Sequence, residues 1–278
     1  MSFFENTPTL YINLDSRPDR NTHVIAELQK IGCVAPERVA AIEMKSGALG
    51  CALSHLKCLN LAVERGWSRV FICEDDITFL DPVLLVENTH KFCEVVTAVT
   101  AATETAATTA ETTAASTAES TPRPRPIFDD YNLDFDVLVI GGNNCPPYNT
   151  LSPFHIRVYN CQTTTGYVVT RRYYDTLIAN IKEGIHKYMQ ALAESPREAA
   201  KYSIDIYWKL LQRDTENSRW YMIIPATVIQ YENFSNIENC RTNYAAAMLD
   251  IKKDWLFDAQ TAAATTSNSA KIMKMKLT

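Results

Sequence analysis

The sequence of 278 residues has no CxxC pair among its eight cysteines, no GxGxxG and no P-loop. It also has no run near the ~18 uninterrupted apolar residues of a membrane span. The missing CxxC spacing argues against a structural zinc site, and the missing glycine loops leave no generic phosphate-binding signature. The opening stretch MSFFENTPTLYINLDSRPDR lacks a basic segment followed by an apolar core, so it does not read as a secretory signal. These absences set the expectation of a cytoplasmic protein with reduced thiols, several of them in apolar helix or strand contexts as small hydrophobes. An even cysteine count leaves disulfides open if export takes another route. A surplus of basic charge is lacking too: 27 Lys and Arg face 32 Asp and Glu, a net charge of −5. That excludes the basic surface of a usual nucleic-acid binder but leaves open a small anionic ligand, which needs only a few local cations.

What is present is an alternation of strand and helix signals. Residues 9–14 (TLYINL) read as a strand, and Pro18 suits the first turn of a helix that runs to about Ile31 and stops at Gly32. RVAAI reads as a second strand. GALGCALSHLKCLNLAVERG reads as a glycine-flanked helix with Ala48, Leu49, Ala52, Leu56, Leu59 and Val63 near one face. RVFICE is a strongly apolar third strand. Later come FDVLVIGG and TTTGYVVT as strands, YYDTLIANIKEG and SIDIYWKLLQR as helices, and WYMIIPATVIQ as a strand interrupted by Pro225. The pattern predicts an α/β fold, a single domain with a mostly parallel central sheet flanked by helices and ligands at the carboxyl ends of the strands. That domain spans residues 1–258, broken at 97–126 by a low-complexity segment of Ala, Thr, Glu and Ser that cannot offset its ordering entropy; its first part continues the preceding helix. Residues 259–278 form a second low-complexity tail, whose KIMKMK would give only weak contact with an anionic membrane surface.

Three segments carry candidate chemistry. VFICEDDITF ends an apolar strand in adjacent carboxylates, Glu74, Asp75 and Asp76. Strand alternation would put Glu74 and Asp76 on one face, where two oxygen ligands suit Mn2+ or Mg2+. A solvated acidic turn is the alternative. NLDSRPDR places Arg17 and Arg20 after the first strand, where guanidinium forks match a nucleotide's diphosphate; surface charge at a helix start is the alternative. In SGALGCALSH, small residues would let backbone amides approach an anion. His55 there reads equally as a buried structural histidine.

In order and spacing, YINLDSRPDR, GALGCALSHLKCL and VFICEDDITF resemble the INLxxRxDR, GxxGCxxSH and EDD pattern of glycosyltransferase family 25. Fainter likenesses follow in CQTTTGYVVTRRYYDTL, SIDIYWKLL and QYENFSNIE, with Gly166 and Asn236 standing where the family commonly has Ala and Asp. The resemblance implies a GT-A-like domain, a UDP-sugar donor, a divalent cation and inversion at the anomeric carbon. It implies that Glu74 and Asp76 hold Mn2+ (or Mg2+). Asn13, Arg17, Arg20, Ser54, His55, Asp75, Gln230 and Ser235 would then surround the donor. The implied reaction moves a galactose or glucose to a hydroxyl of a glycan or glycoprotein. Inversion needs one base. Asp205, an acid in an apolar and aromatic helix, is the candidate. Tyr207 and Trp208 beside it read either as a sugar platform or as core. Two rivals remain: an inactive nucleotide-sugar-binding descendant of a transferase, for which the Asn236 departure speaks, and a metal-dependent phosphohydrolase.

Overall fold

The computed structural model describes residues 2–111, 133–235 and 240–254, without the side chains of 98–111 and 233–235. The first elements alternate as expected: β1 (Thr9–Asn13), α1 (Pro18–Lys30), β2 (Glu37–Ala40), α2 (Gly47–Glu64) and β3 (Arg69–Glu74). Gly32 and Gly66 follow the two helices with φ of +80° and +66°, the left-handed stop that lacks a Cβ penalty. A short β4 (Ile77–Phe79) precedes α3 (Pro82–Glu111), which starts where Asp81 Oδ1 accepts the Leu84 N–H. The low-complexity segment therefore begins as helix; its remainder from 112 to 126, Asn236 and the tail lie outside the described residues.

The second half contributes β5 (Val137–Asn144), β6 (Tyr148–Ser152), β7 (His155–Val158) and β8 (Cys161–Thr170). Then come α4 (Tyr174–Leu192), α5 (Pro196–Ala200), α6 (Ile204–Tyr207), α7 (Lys209–Arg213) and β9 (Trp220–Ile223). β10 (Val228–Gln230), β11 (Asn233–Ser235), β12 (Cys240–Thr242) and α8 (Ala245–Leu249) complete the described chain. Pro225 does break the late strand: β9 joins the main sheet, whereas β10 leaves it to pair with β4. SIDIYWKLLQR forms two short helices, α6 and α7, rather than one.

The central sheet has eight strands in the order β2-β1-β3-β8-β5-β9-β7-β6. Tracing the pairings, all strands run one way except β8 and β7. The mostly parallel α/β sheet read from the sequence is thus present, with two reversed strands set into it. Because β8 is reversed, its first residues lie at the edge where β3 and β5 end. Period-two alternation builds a core on each face. Val70, Ile72, Val137 and Val139 pack with α2 and α4. Phe71, Cys73, Leu138 and Ile140 pack with α1 and α3.

On α2 the buried stripe is rotated from the one expected. Val63 is 45% exposed, while Ser54, His55, Cys58 and Ala62 are buried. Ser54 accounts for part of this, since its hydroxyl accepts the Ile42 N–H and donates to the Gly50 carbonyl. Gly50 sits at the same junction, where a Cβ would overlap the Ile42 carbonyl oxygen. Close packing against backbone therefore requires glycine here. Gly→Ala in a helix normally stabilises by about 1 kcal/mol. Gly50→Ala is expected to destabilise instead, by about 1–3 kcal/mol from overpacking. Urea denaturation would read this, and a more stable variant would show that the 41–46 loop yields without cost.

Candidate active site at the carboxyl edge of the sheet

The alternation along β3 decides where its acids go. Glu74 follows Ile72 on the α2 face and meets that helix. Its Oε1 accepts the Thr164 hydroxyl and lies 3.4 Å from His55 Nε2 and 3.7 Å from Cys51 Sγ. The strand ends there, and Asp75 and Asp76 form a turn. Asp75 accepts from Asn13 Nδ2 at 2.7 Å and from Arg20 Nη1 at 2.9 Å. Asp76 shares the same Nη1 at 3.3 Å. The sequence pattern paired Glu74 with Asp76 on one face; the turn corrects this by pairing Asp76 with Asp75 on Arg20. The turn is also held from outside, because the Tyr231 N–H after β10 donates to the Asp76 carbonyl.

Burial gives the acids different proton affinities. Burial raises Asp75 and Asp76, Glu74 adds repulsion to both, and Arg20 only partly offsets these effects. Burial acts on Glu74 too, but hydrogen bonds from His55 and Thr164 and the Arg20 charge hold it below the ordinary value. Asp76 Oδ1 is buried with no hydrogen-bond partner among the described residues.

The acids open onto a cavity of about 580 Å³. Arg17, Arg20, Ser54, His55, Asp205 and Gln230 also line it. Arg17 is tied to Asp19 through Nε and Nη2 at 3.0 and 2.7 Å. His55 is fully buried, with Nδ1 3.1 Å from the Tyr167 hydroxyl. Gln230 ends β10. Asp205, in the first turn of α6, is raised by burial, while its Oδ2 accepts the Thr163 N–H at 3.1 Å. Tyr207 and Trp208 are core rather than a platform; the Trp208 indole N–H donates to the Cys161 carbonyl. One expected donor contact sits elsewhere, and another lies outside the described side chains. Asn13 is 2% exposed behind Asp75 and does not line the cavity. Ser235 ends β11 opposite Cys240, with its side chain outside the described residues.

Several residues here carried no sequence signal. Arg38 of β2 donates from Nε to Asn13 Oδ1 at 2.9 Å and from Nη2 to Asp15. Arg38 thereby orients the Asn13 amide so that its nitrogen donates to Asp75 and to the Arg17 carbonyl. Thr164 and Cys51 reach Glu74 only because β8 and α2 flank β3. Asn143, 8% exposed on β5, lines the cavity with an unpartnered Oδ1. Thr163 has φ +69°, strained for a β-branched residue, beside Asp205.

A family model described as glycosyltransferase family 25 (LPS biosynthesis protein) matches residues 36–192. The match holds the GALGCALSH and EDD segments and begins after YINLDSRPDR. No curated protein matches the chain. Among solved structures it is similar to mannose-1-phosphate geranyltransferase from Thermus thermophilus, with 10% identity, 78% of this chain and 73% of that chain covered, and a TM-score of 0.39. Likeness at that level carries no argument about activity.

The acid turn makes a stability prediction. The folded values of Asp75, Asp76 and Asp205 are raised, so at these three groups the folded state holds more protons than the unfolded one above about pH 4. Their stabilising contribution is complete below the unfolded value and is lost as pH rises through the folded values. Asp76→Asn, without divalent cations at neutral pH, should be more stable than the native protein by about 0.5–2 kcal/mol, with a flatter stability–pH curve. Thermal unfolding across pH tests this; a less stable variant would mean that the Asp76 charge supports the fold.

Proposed function

The chain belongs to glycosyltransferase family 25, and on that premise we propose that it is a metal-dependent inverting transferase. It would move galactose or glucose from a UDP-sugar to a hydroxyl of a glycan or glycoprotein. The observation that carries this reading is the acid turn. Three carboxylates end a buried strand at a cavity, and Asp76 keeps a buried, unpartnered oxygen. A donor set of oxygens with surplus negative charge fits Mn2+ or Mg2+. Glu74 and Asp76 would hold the cation, which would neutralise charge developing on the leaving diphosphate.

The chain's own residues would do the rest. Arg17 and Arg20, at the start of α1 and on the cavity wall, would contact the nucleotide diphosphate. Asn13, oriented by Arg38, would keep Asp75 aimed into the cavity. Gln230 would close the wall beside β4. Asn143 offers its unpartnered amide oxygen to a sugar hydroxyl. Asp205 stands on a different wall from the acids, with one oxygen oriented by the Thr163 N–H. As the acceptor oxygen attacks the anomeric carbon and UDP leaves, the hydroxyl proton passes to the Asp205 carboxylate. A raised proton affinity suits that role. All eight cysteines are unpaired, which fits action in the cytoplasm. Among the described residues no helix is long and apolar enough to cross a membrane.

Calorimetry with UDP, UDP-galactose and UDP-glucose, with Mn2+ and with chelator, tests the donor. Metal-dependent binding to one UDP-sugar is expected, and no binding under either condition would refute the reading. Asp205→Asn should keep donor binding but lower transfer by about 10²–10⁴-fold. Native transfer should fall as pH drops through the raised Asp205 value, since the base must be ionised. Full activity in Asp205→Asn would assign the base elsewhere.

A further inference from the structure

On its inner side, Glu74 meets a thiol and an imidazole, Cys51 and His55, to which the proposed transfer gives no part. Cys51 and His55 are four apart on α2, so they share a helix face. That face meets Glu74 at the end of β3. One sulfur, one nitrogen and one oxygen from these residues all lie within 4.8 Å of one another, the only such grouping among the described residues. We propose that Cys51, His55 and Glu74 form a site for a thiophilic divalent cation of the Zn2+ type, separate from the oxygen-ligated position at Asp76.

The spacing of these hydrogen-bonded groups also accommodates coordination. His55 Nε2 to Glu74 Oε1 is 3.4 Å, longer than a good N–H···O bond. Cys51 Sγ to the same oxygen is 3.7 Å. Tetrahedral zinc, with bonds of about 2.0–2.1 Å to nitrogen and oxygen and about 2.3 Å to sulfur, spaces its ligands about 3.3 Å (N···O) and about 3.5 Å (S···O) apart. These two separations are close to those edges, and the sulfur and nitrogen lie within 4.8 Å of each other. The surrounding bonds are the ones such a site needs. His55 Nδ1 is engaged by the Tyr167 hydroxyl, which leaves Nε2 facing the cluster. Thr164 anchors the Glu74 carboxylate. The cavity supplies the fourth direction. A thiolate and a carboxylate together balance a divalent charge, and the thiol proton leaves to solvent on binding. Sequence spacing could not show this, because the donors come from a helix and a strand rather than from paired CxxC segments. Glu74 can serve both positions with different oxygens, since its described hydrogen bonds all fall on Oε1.

Cobalt(II) titration of the whole chain, freed of metal by chelation, tests this without any assay of transfer. A thiolate-to-cobalt absorption band saturating near one equivalent is expected, bleached by Zn2+ and unaffected by excess Mg2+. Cys51→Ser should lose the band and bind Zn2+ more than about 10-fold more weakly. Cys51→Ala should behave alike, so that a folding defect in one variant leaves the other to decide. Cys240→Ser, at an exposed thiol, and Asp76→Ala should both keep the band. Absence of a band in the native protein, its survival in the Cys51 variants, or its loss in Asp76→Ala would overturn the proposal. Failure of UDP-sugar binding would leave it standing, so the two readings fail separately.

Discussion

The repulsion among three carboxylates at the end of β3 is the constraint around which this edge of the molecule is organised. Each acid is largely withdrawn from water, where like charges interact most strongly. Every neighbouring element answers part of that repulsion. β1 supplies Asn13, α1 supplies Arg20, α2 supplies His55 and β8 supplies Thr164. The β4–β10 ribbon adds the Tyr231 amide on the Asp76 carbonyl. A cluster so costly to assemble is retained more readily for what it binds than for stability, because apolar side chains would pack the same place at less expense.

Sheet direction explains why these contributors converge. The strands that run with β3 all end at this edge, and reversed β8 begins there. One reversal thus brings Thr163 and Thr164 to the cavity from the opposite chain direction. Thr163 then links the sheet to α6 through Asp205, at a backbone angle that a β-branched residue adopts only when its surroundings enforce it. The acid turn and Asp205 are in this way mounted on separate elements but fixed to one frame.

The three acids are also not equivalent. Glu74 is buried against hydrogen-bond donors and stays readily ionised; Asp76 is buried with a bare oxygen and does not. Environment, rather than residue type, separates an inner face with sulfur and nitrogen beside Glu74 from an outer face of oxygens beside Arg20. Membership of glycosyltransferase family 25 bears on the outer face, where the proposed donor site lies, while the inner face depends only on what α2 and β8 bring to it.

Much of this was legible along the chain. Residues adjacent in sequence and governed by period two or by helix stops were readable: the strands TLYINL and RVFICE, the glycine ends of α1 and α2, the acids themselves and the raised proton affinity of Asp205. Local periodicity and composition determine such features, so the sequence by itself carried the α/β class, the order of its elements and the strand edge where the acids stand. Tertiary structure alone decided that the strand ends at Glu74, so that Asp76 turns to Arg20 instead of joining Glu74. It alone decided that Arg38 orients Asn13, that Ser54 ties down a loop and that Tyr207 and Trp208 are core. Those outcomes depend on which elements become neighbours across a sheet, a long-range choice that neither spacing nor residue type encodes at any single position.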